Sequence, residues 1–209
     1  MELDAQTLRA RDCYALLTSL IVPRPIAWVS TKDQAGHTNL APFSYFSGLG
    51  SDPPMLTLAI AQRRDGSDKD TVRIARATGA LCVNLVEEHD AARMNASSAE
   101  LPPGESEIER LGIATTPCLA IEGVRVASAR AALECRLIDV HRYGRTRAVN
   151  LLVAEVVHFF VDDGLLSASH AGAPPAAAAD AIRPLSRLGD RWYARLGERL
   201  AMPRPGTTG

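Results

Sequence analysis

The sequence predicts a mainly β chain, a closed or split β-barrel with peripheral helices, and three observations lead there. Residues 26–31 are rich in β-branched and aromatic side chains, and residues 55–61 alternate large and small apolar ones, so both read as strands. Residues 131–143 and 148–161 are longer β-rich runs joined by Gly144-Arg145-Thr146-Arg147, which makes a second and longer hairpin. Six or seven strands with two to four helices, β early and β again late, argue against a doubly wound parallel sheet.

Taken in order, residues 4–20 carry Leu8, Tyr14, Leu16, Leu17 and Leu20, a spacing for a short amphipathic helix or an extended lead-in. Pro23 and Pro25 fix φ and exclude helix before strand one at 26–31. Residues 32–37 have turn chemistry, with Gly36 able to take positive φ, and residues 38–46 form a second extended stretch broken by Pro42. Proline cannot donate to a ladder, so this strand lies at an edge or bends, which leaves backbone open to a ligand. Asp52-Pro53-Pro54 breaks the chain before strand three. A polar loop at 62–68 then opens onto a helix at 69–78, with Val72, Ile74, Ala75 and Ala77 in register and Gly79 as its stop.

Strand four follows at 81–86, then a helix at 87–96 with an exposed charged face. The loop at 97–107 leads to Ser106-x-x-Glu109, which fits a capping box for one short turn. Residues 170–180 are Ala/Pro-rich and read as a flexible connector. The tail at 182–205 has Leu185, Leu188, Trp192, Tyr193, Leu196 and Leu200 at helical spacing. Residues 1–209 are expected to form a single domain with that connector and tail.

The chain's 209 residues are 46% hydrophobic and 22% charged, an ordinary globular composition, and a chain of this length buries about 70% of its unfolded surface. A net charge of −1 excludes a globally basic nucleic-acid binder and an anionic-membrane binder. Of the 23 cations only Lys32 and Lys69 are lysines, a skew that base composition explains. Cys13, Cys82, Cys118 and Cys135 show no C-x-x-C spacing and read as reduced, buried thiols. The five histidines are scattered, and His141 and His158 on the late hairpin read as hydrogen-bonded structural residues rather than metal ligands. No apolar run approaches the ~20 residues that span a bilayer, so no membrane partner and a cytoplasmic location are expected.

Two stretches could carry chemistry. In Arg63-Arg64-Asp65-Gly66-Ser67-Asp68-Lys69-Asp70-Thr71, cations, a glycine, hydroxyls and backbone N–H groups converge at a helix start, a combination that binds phosphate. On spacing alone the commoner reading is a solvated turn with Ser67 or Asp68 as N-cap. In residues 39–46 an amide, a hydroxyl and three aromatic rings flank Pro42, which suits a planar heterocycle or, more often, an aromatic core strand. Trp28 has the same two readings, core packing first and ring stacking second. No G-x-S-x-G, Walker A, H-E-x-x-H or G-x-G-x-x-G motif is present, so no catalytic side chain and no metal are assigned.

Pro23-Arg24-Pro25-Ile26-Ala27-Trp28-Val29-Ser30-Thr31, Asn39 to Phe46, Asp52-Pro53-Pro54, Arg64-Asp65-Gly66, Lys69-Asp70-Thr71, Glu155 to His158 and Arg183 to Gly189 together resemble the flavin reductase-like family, in its flavoredoxin-like branch. The resemblance covers about residues 10 to 200. It implies a Greek-key FMN-binding split barrel, a homodimer with non-covalent FMN near the subunit interface, and NAD(P)H as electron donor. By position, Ser30, Thr31, Lys69 and Thr71 would hold the phosphate, with Asp70 between them and Arg64 or Arg63 close by. Asn39, Leu40, Ala41, Pro42, Phe43 and Ser44 would line the isoalloxazine, beside Trp28. The acceptor would be a small molecule or a protein, including a monooxygenase. An electron carrier reduced by a protein partner fits the same residues. Where relatives often carry Gly-Gly before the late tyrosine, this chain has Gly189-Asp190-Arg191.

Overall fold

The computed structural model describes residues 1–102, 104–166, 181–202 and 205. In chain order it contains α1 (Ala10–Leu20), β1 (Arg24–Pro25), β2 (Ala27–Lys32), β3 (Thr38–Phe43), β4 (Phe46–Ser51) and β5 (Pro54–Ala61). There follow α2 (Asp70–Thr78), β6 (Ala80–Leu85), a 3-10 turn at Glu88–Asp90, α3 (Ala91–Ala96), α4 (Glu107–Arg110), β7 (Thr115–Pro117) and β8 (Val124–Val126). The long β9 (Ala131–Tyr143) and β10 (Val149–Val161) precede the short β11 (Ser186–Arg187) and β12 (Tyr193–Ala194).

One seven-stranded antiparallel sheet runs in the order β3-β2-β6-β9-β10-β5-β4. Register shifts in the β9–β10 hairpin, between Val153 and Ala154 and between Val156 and His158, add bend and twist. The sheet curls until β3 and β5 approach each other without pairing, which is the split in the barrel. Two smaller sheets, β7-β8 and β1-β11-β12, cover the outside.

Strand β2 organises both cores because it is buried on both faces, which is why residues 26–29 read as a continuous apolar run. Ala27 and Val29 face the barrel interior with Phe43, Leu58, Leu81 and Leu152. Ile26 and Trp28 face outward into a second cluster with Leu40, Met94, Ile108, Val126 and Leu185. Asn84 locks this outer layer: its amide donates to Trp28 O (2.8 Å) and Ser30 Oγ (3.1 Å), and its Oδ1 accepts from Val126 N (2.8 Å).

Helix α2 ends on Gly79 in the left-handed region, φ +71°, whose N–H donates to Ala75 O, as the sequence predicts. Pro42 lies on an edge strand as expected. Leu40 N points away from β2 to Glu107, so Pro42, two residues on, faces the same open side and costs no ladder bond.

Other expectations are corrected. The tail from 182 forms no helix among the described residues. It is drawn into β11 and β12 by pairing with β1, in the register Arg24↔Arg187 and Pro25↔Ser186. No capping box forms at Ser106, because its hydroxyl bonds Thr38 Oγ1 at 2.7 Å. The 87–96 segment splits into a 3-10 turn and α3, and Asp90 on it is fully buried rather than exposed. Strand β4 was not anticipated. Only Cys82 and Cys135 are buried; Cys13 and Cys118 are half-buried, and all four are free thiols. Burial pushes the Cys135 thiol up to about 12. His158 Nδ1 lies 3.3 Å from the buried Glu134 carboxylate without hydrogen-bond geometry. The expected connector at 170–180 lies outside the described residues.

Candidate functional site

A groove runs along the open edge of β3, from the start of α2 to the β11–β12 turn. At one end Asn39, Ala41, Arg63, Lys69, Glu100 and Glu107 are among its walls. At the other a cavity of ≈ 170 Å³ lies between Pro42, Phe43 and Ser44 on one side and Asn95, Arg187 and Tyr193 on the other. Ser98 lines both ends.

The first end gathers donors at the start of α2. Lys69 is the N-cap of α2 and no side chain caps the helix. The N–H groups of Asp70 and Thr71 donate to no described residue. Lys69 Nζ makes no ion pair with a described residue and lies 5.8 Å from the centre of the Phe43 ring. Burial pushes its ammonium below the usual lysine range, with the Glu100 carboxylate acting in the opposite direction. An uncapped helix start and a half-buried ammonium together favour a phosphate-sized anion.

The loop before α2 is held by a carboxylate network. Asp68 Oδ1 accepts from Asn150 Nδ2 (2.9 Å) and Gln62 Nε2 (3.1 Å), and Arg76 donates to Asp68 Oδ2 (3.1 Å). Arg63 donates to Asp68 O (2.9 Å) and Asp70 Oδ2 (2.5 Å). Burial raises the Asp68 carboxyl, but the bonds from Asn150 and Gln62 and the Arg76 charge outweigh it and hold the group below its ordinary value. Because the folded-state value is depressed, this stabilisation is present above about pH 4 and is lost as the pH falls further. Urea midpoints measured from pH 6 to pH 3 should therefore fall less steeply for Asp68→Asn than for the wild type; parallel curves would remove Asp68 from the network's acid sensitivity.

The structure brings Ala41, Pro42, Phe43, Ser44, Lys69, Asp70 and Asn39 together along the groove. Several other expected residues are committed elsewhere. Trp28 is fully buried in the outer core and its Nε1 donates to Ser97 Oγ at 2.9 Å. Ser30 faces the same layer and donates to Val124 O at 2.5 Å. Leu40 packs in that core, with its N–H on Glu107. Thr31 and Thr71 are 1% exposed, and the Thr71 hydroxyl donates to Asn39 Oδ1 at 2.8 Å. Thr71 thus offers the groove its backbone N–H rather than its side chain. Arg64 is exposed on the turn beside Gly66, outside the groove walls, and Arg63 takes the position at the groove instead.

Sequence reasoning missed Glu107, Asn95, Ser98, Arg187 and Tyr193. Glu107, only 7% exposed, receives Asn39 Nδ2 and Leu40 N, both at 3.0 Å, and fastens β3 to α4. Tyr193 Oη donates to Asn95 Oδ1 at 3.1 Å, and the Arg187 guanidinium lies 4.5 Å over the Tyr193 ring. Arg187 also donates to Asp190 O, and Asp190 has φ +52°, a conformation that Asp tolerates better than most residues. A larger basin of ≈ 910 Å³ elsewhere is lined by Glu87, Glu88, Arg130, Arg183 and Arg195, but Arg130 and Arg195 there already pair with carboxylates. No helix among the described residues is long and apolar enough to cross a membrane.

A curled antiparallel sheet with a groove along an unpaired edge is the split-barrel architecture of flavin reductases. The model of the flavin reductase like domain matches residues 19–177, and the chain belongs to that family. An uncharacterised protein of Halalkalibacterium halodurans is 35% identical over 208 residues, covering 98% of this chain and 97% of that protein. Among solved structures, nitrilotriacetate monooxygenase component B from Bacillus cereus superposes with a TM-score of 0.89 at 33% identity, covering 97% of this chain and 98% of that one. The 2-nitrobenzoate 2-nitroreductase of Pseudomonas fluorescens gives 0.87 at 27% identity over 100% of this chain and 98% of its own. Flavoredoxin of Desulfovibrio vulgaris shares the fold, with a TM-score of 0.75 at 18% identity over 99% of both chains.

Proposed function

We propose that the groove along β3 binds FMN non-covalently and that the protein is an NAD(P)H-dependent flavin reductase-type oxidoreductase of the cytoplasm. The observation that carries this reading is Lys69: an ammonium without an ion-pair partner among the described residues, beside open N–H groups at a helix start, at one end of a groove whose other end is walled by Pro42, Phe43 and Tyr193. The donor set fits a phosphate, and the ring-lined cavity fits a planar heterocycle. Membership of the flavin reductase like family supports an oxidoreductase role.

Bound FMN would supply electron transfer between a nicotinamide donor and an acceptor, and the protein would supply position and electrostatics. Lys69 and the N–H groups of Asp70 and Thr71 would hold the phosphate end, beside Arg63, which is already paired with Asp70. Pro42 and Phe43 would form one wall of the ring end, with Ser44, Asn95 and Ser98 as its polar edge. Similarity to a monooxygenase component B supports a monooxygenase as the consumer of electrons. Exposed Tyr14 and Val22, on α1 and just beyond it, line an apolar cavity with exposed Trp192 and support a homodimer in which this face is covered.

Titration of the purified protein with FMN should quench the flavin fluorescence with one site per chain; absence of binding would refute the proposal. If FMN binds and neither NADH nor NADPH is oxidised anaerobically, the protein is a flavin carrier reduced by a protein partner.

A further inference from the structure

Arg24 is the one lysine or arginine among the described residues that is buried, with 5% of its surface exposed, and it has no carboxylate partner. Its Nη1 donates to Thr18 O (2.6 Å) and Ile21 O (2.9 Å), its Nη2 to Leu188 O (2.9 Å), and its Nε to Ser44 Oγ (3.3 Å). A buried charge is normally neutralised by an ion pair. Here the partners are carbonyl oxygens, a single hydroxyl and the Tyr45 ring, whose centre lies 5.9 Å from the guanidinium. Ser44 Oγ accepts from this cation, and its own proton is donated to no described residue, while the side chain lines the ≈ 170 Å³ cavity.

The second cation is Arg187, paired with Arg24 in register between β1 and β11 and lining the same cavity. It stacks on Tyr193 and donates to the Asp190 carbonyl rather than to a carboxylate. No aspartate or glutamate lines this cavity. Arg187 at the cavity wall and Arg24 behind Ser44 thus place two cations at the ring end of the groove, and neither makes an ion pair with a described carboxylate.

We infer that Arg187, with Arg24 acting through Ser44, makes the ring end of the groove selective for the reduced, negatively charged form of the cofactor over the oxidised, neutral ring. This rests on the proposal that the groove binds FMN. Arg187 is the contact residue and Arg24 a positioning residue. Tighter binding of the reduced form raises the reduction potential of bound cofactor by linkage and keeps reduced flavin on the protein until an acceptor takes the electrons.

The test is the dissociation constant of FMN in each oxidation state, measured anaerobically for wild type, Arg187→Gln, Arg187→Lys and Ser44→Ala, with circular dichroism to verify folding. A hydrogen bond to a charged group predicts that Arg187→Gln loses at least about tenfold more affinity for reduced than for oxidised FMN. That lowers the midpoint potential of bound FMN by ~30 mV for the two-electron couple. Arg187→Lys should keep part of the preference, and Ser44→Ala should lose part of it. Lys69→Ala should weaken both forms alike, because both carry the phosphate. Equal losses of both forms in Arg187→Gln would overturn the inference and reduce Arg187 to a brace for the Asp190 turn. An unchanged ratio in a folded Arg187→Gln would overturn it as well. A wild type that bound neither form would instead refute the flavin reading itself.

Discussion

Lys69→Ala is expected to weaken FMN by roughly 10- to 150-fold, the range for losing a hydrogen bond to a charged group. Riboflavin, which lacks the phosphate, should lose far less. The ammonium makes no ion pair with a described residue, so the fold should tolerate the change. Lysine suits the position because a compact ammonium on a flexible stem acts as a point charge at the helix start. Fluorescence titrations with both ligands on the same protein check this. Equal losses for FMN and riboflavin would remove Lys69 from the phosphate end.

Trp28→Ala is expected to lower stability by about 3–5 kcal/mol, the cost of emptying a large aromatic from a packed core. Its ring is fully buried among Leu40, Met94 and Val126, and the cavity left behind would lie under α3 and α4. Trp28→Phe keeps most of the packing and loses the Nε1–Ser97 bond, so it should cost about 1 kcal/mol more than any packing change and leave FMN affinity as it was. Urea unfolding gives the first quantity and flavin titration the second. A phenylalanine variant that folded normally and bound FMN much more weakly would return Trp28 to the groove.

What the sequence made legible was local. Residues 69–79 announced a helix with a glycine stop through spacing of a few residues, and Pro42 announced an open edge through its missing donor. What it hid depends on partners far away in the chain. Thr71 and Ser30 have the right chemistry for a phosphate, but the hydroxyl of Thr71 is spent on Asn39, 32 residues away, and that of Ser30 on Val124, 94 residues away. The leucines and aromatics of residues 185–200 suit one face of a helix as well as they suit short strands. Pairing with β1 decides between the two, and spacing alone cannot register it. Arg63 and Arg64 are equivalent as letters; the turn at Gly66 directs the first inward and the second to solvent. Asp190 stands where relatives often carry a glycine, and its φ of +52° lies in the left-handed region that glycine enters without strain.

The bond from Arg24 to Leu188 spans 164 residues, and Arg187 and Tyr193 wall the same cavity as Pro42 and Phe43. During synthesis, at about 5–20 residues per second, the barrel strands emerge well before this last stretch does. A nascent chain released only as far as β10 has the helix start and Lys69 but lacks one whole wall of the ring end. On the proposal that this groove binds FMN, ring capture would belong to the final stage of biogenesis, after β11 has docked on β1.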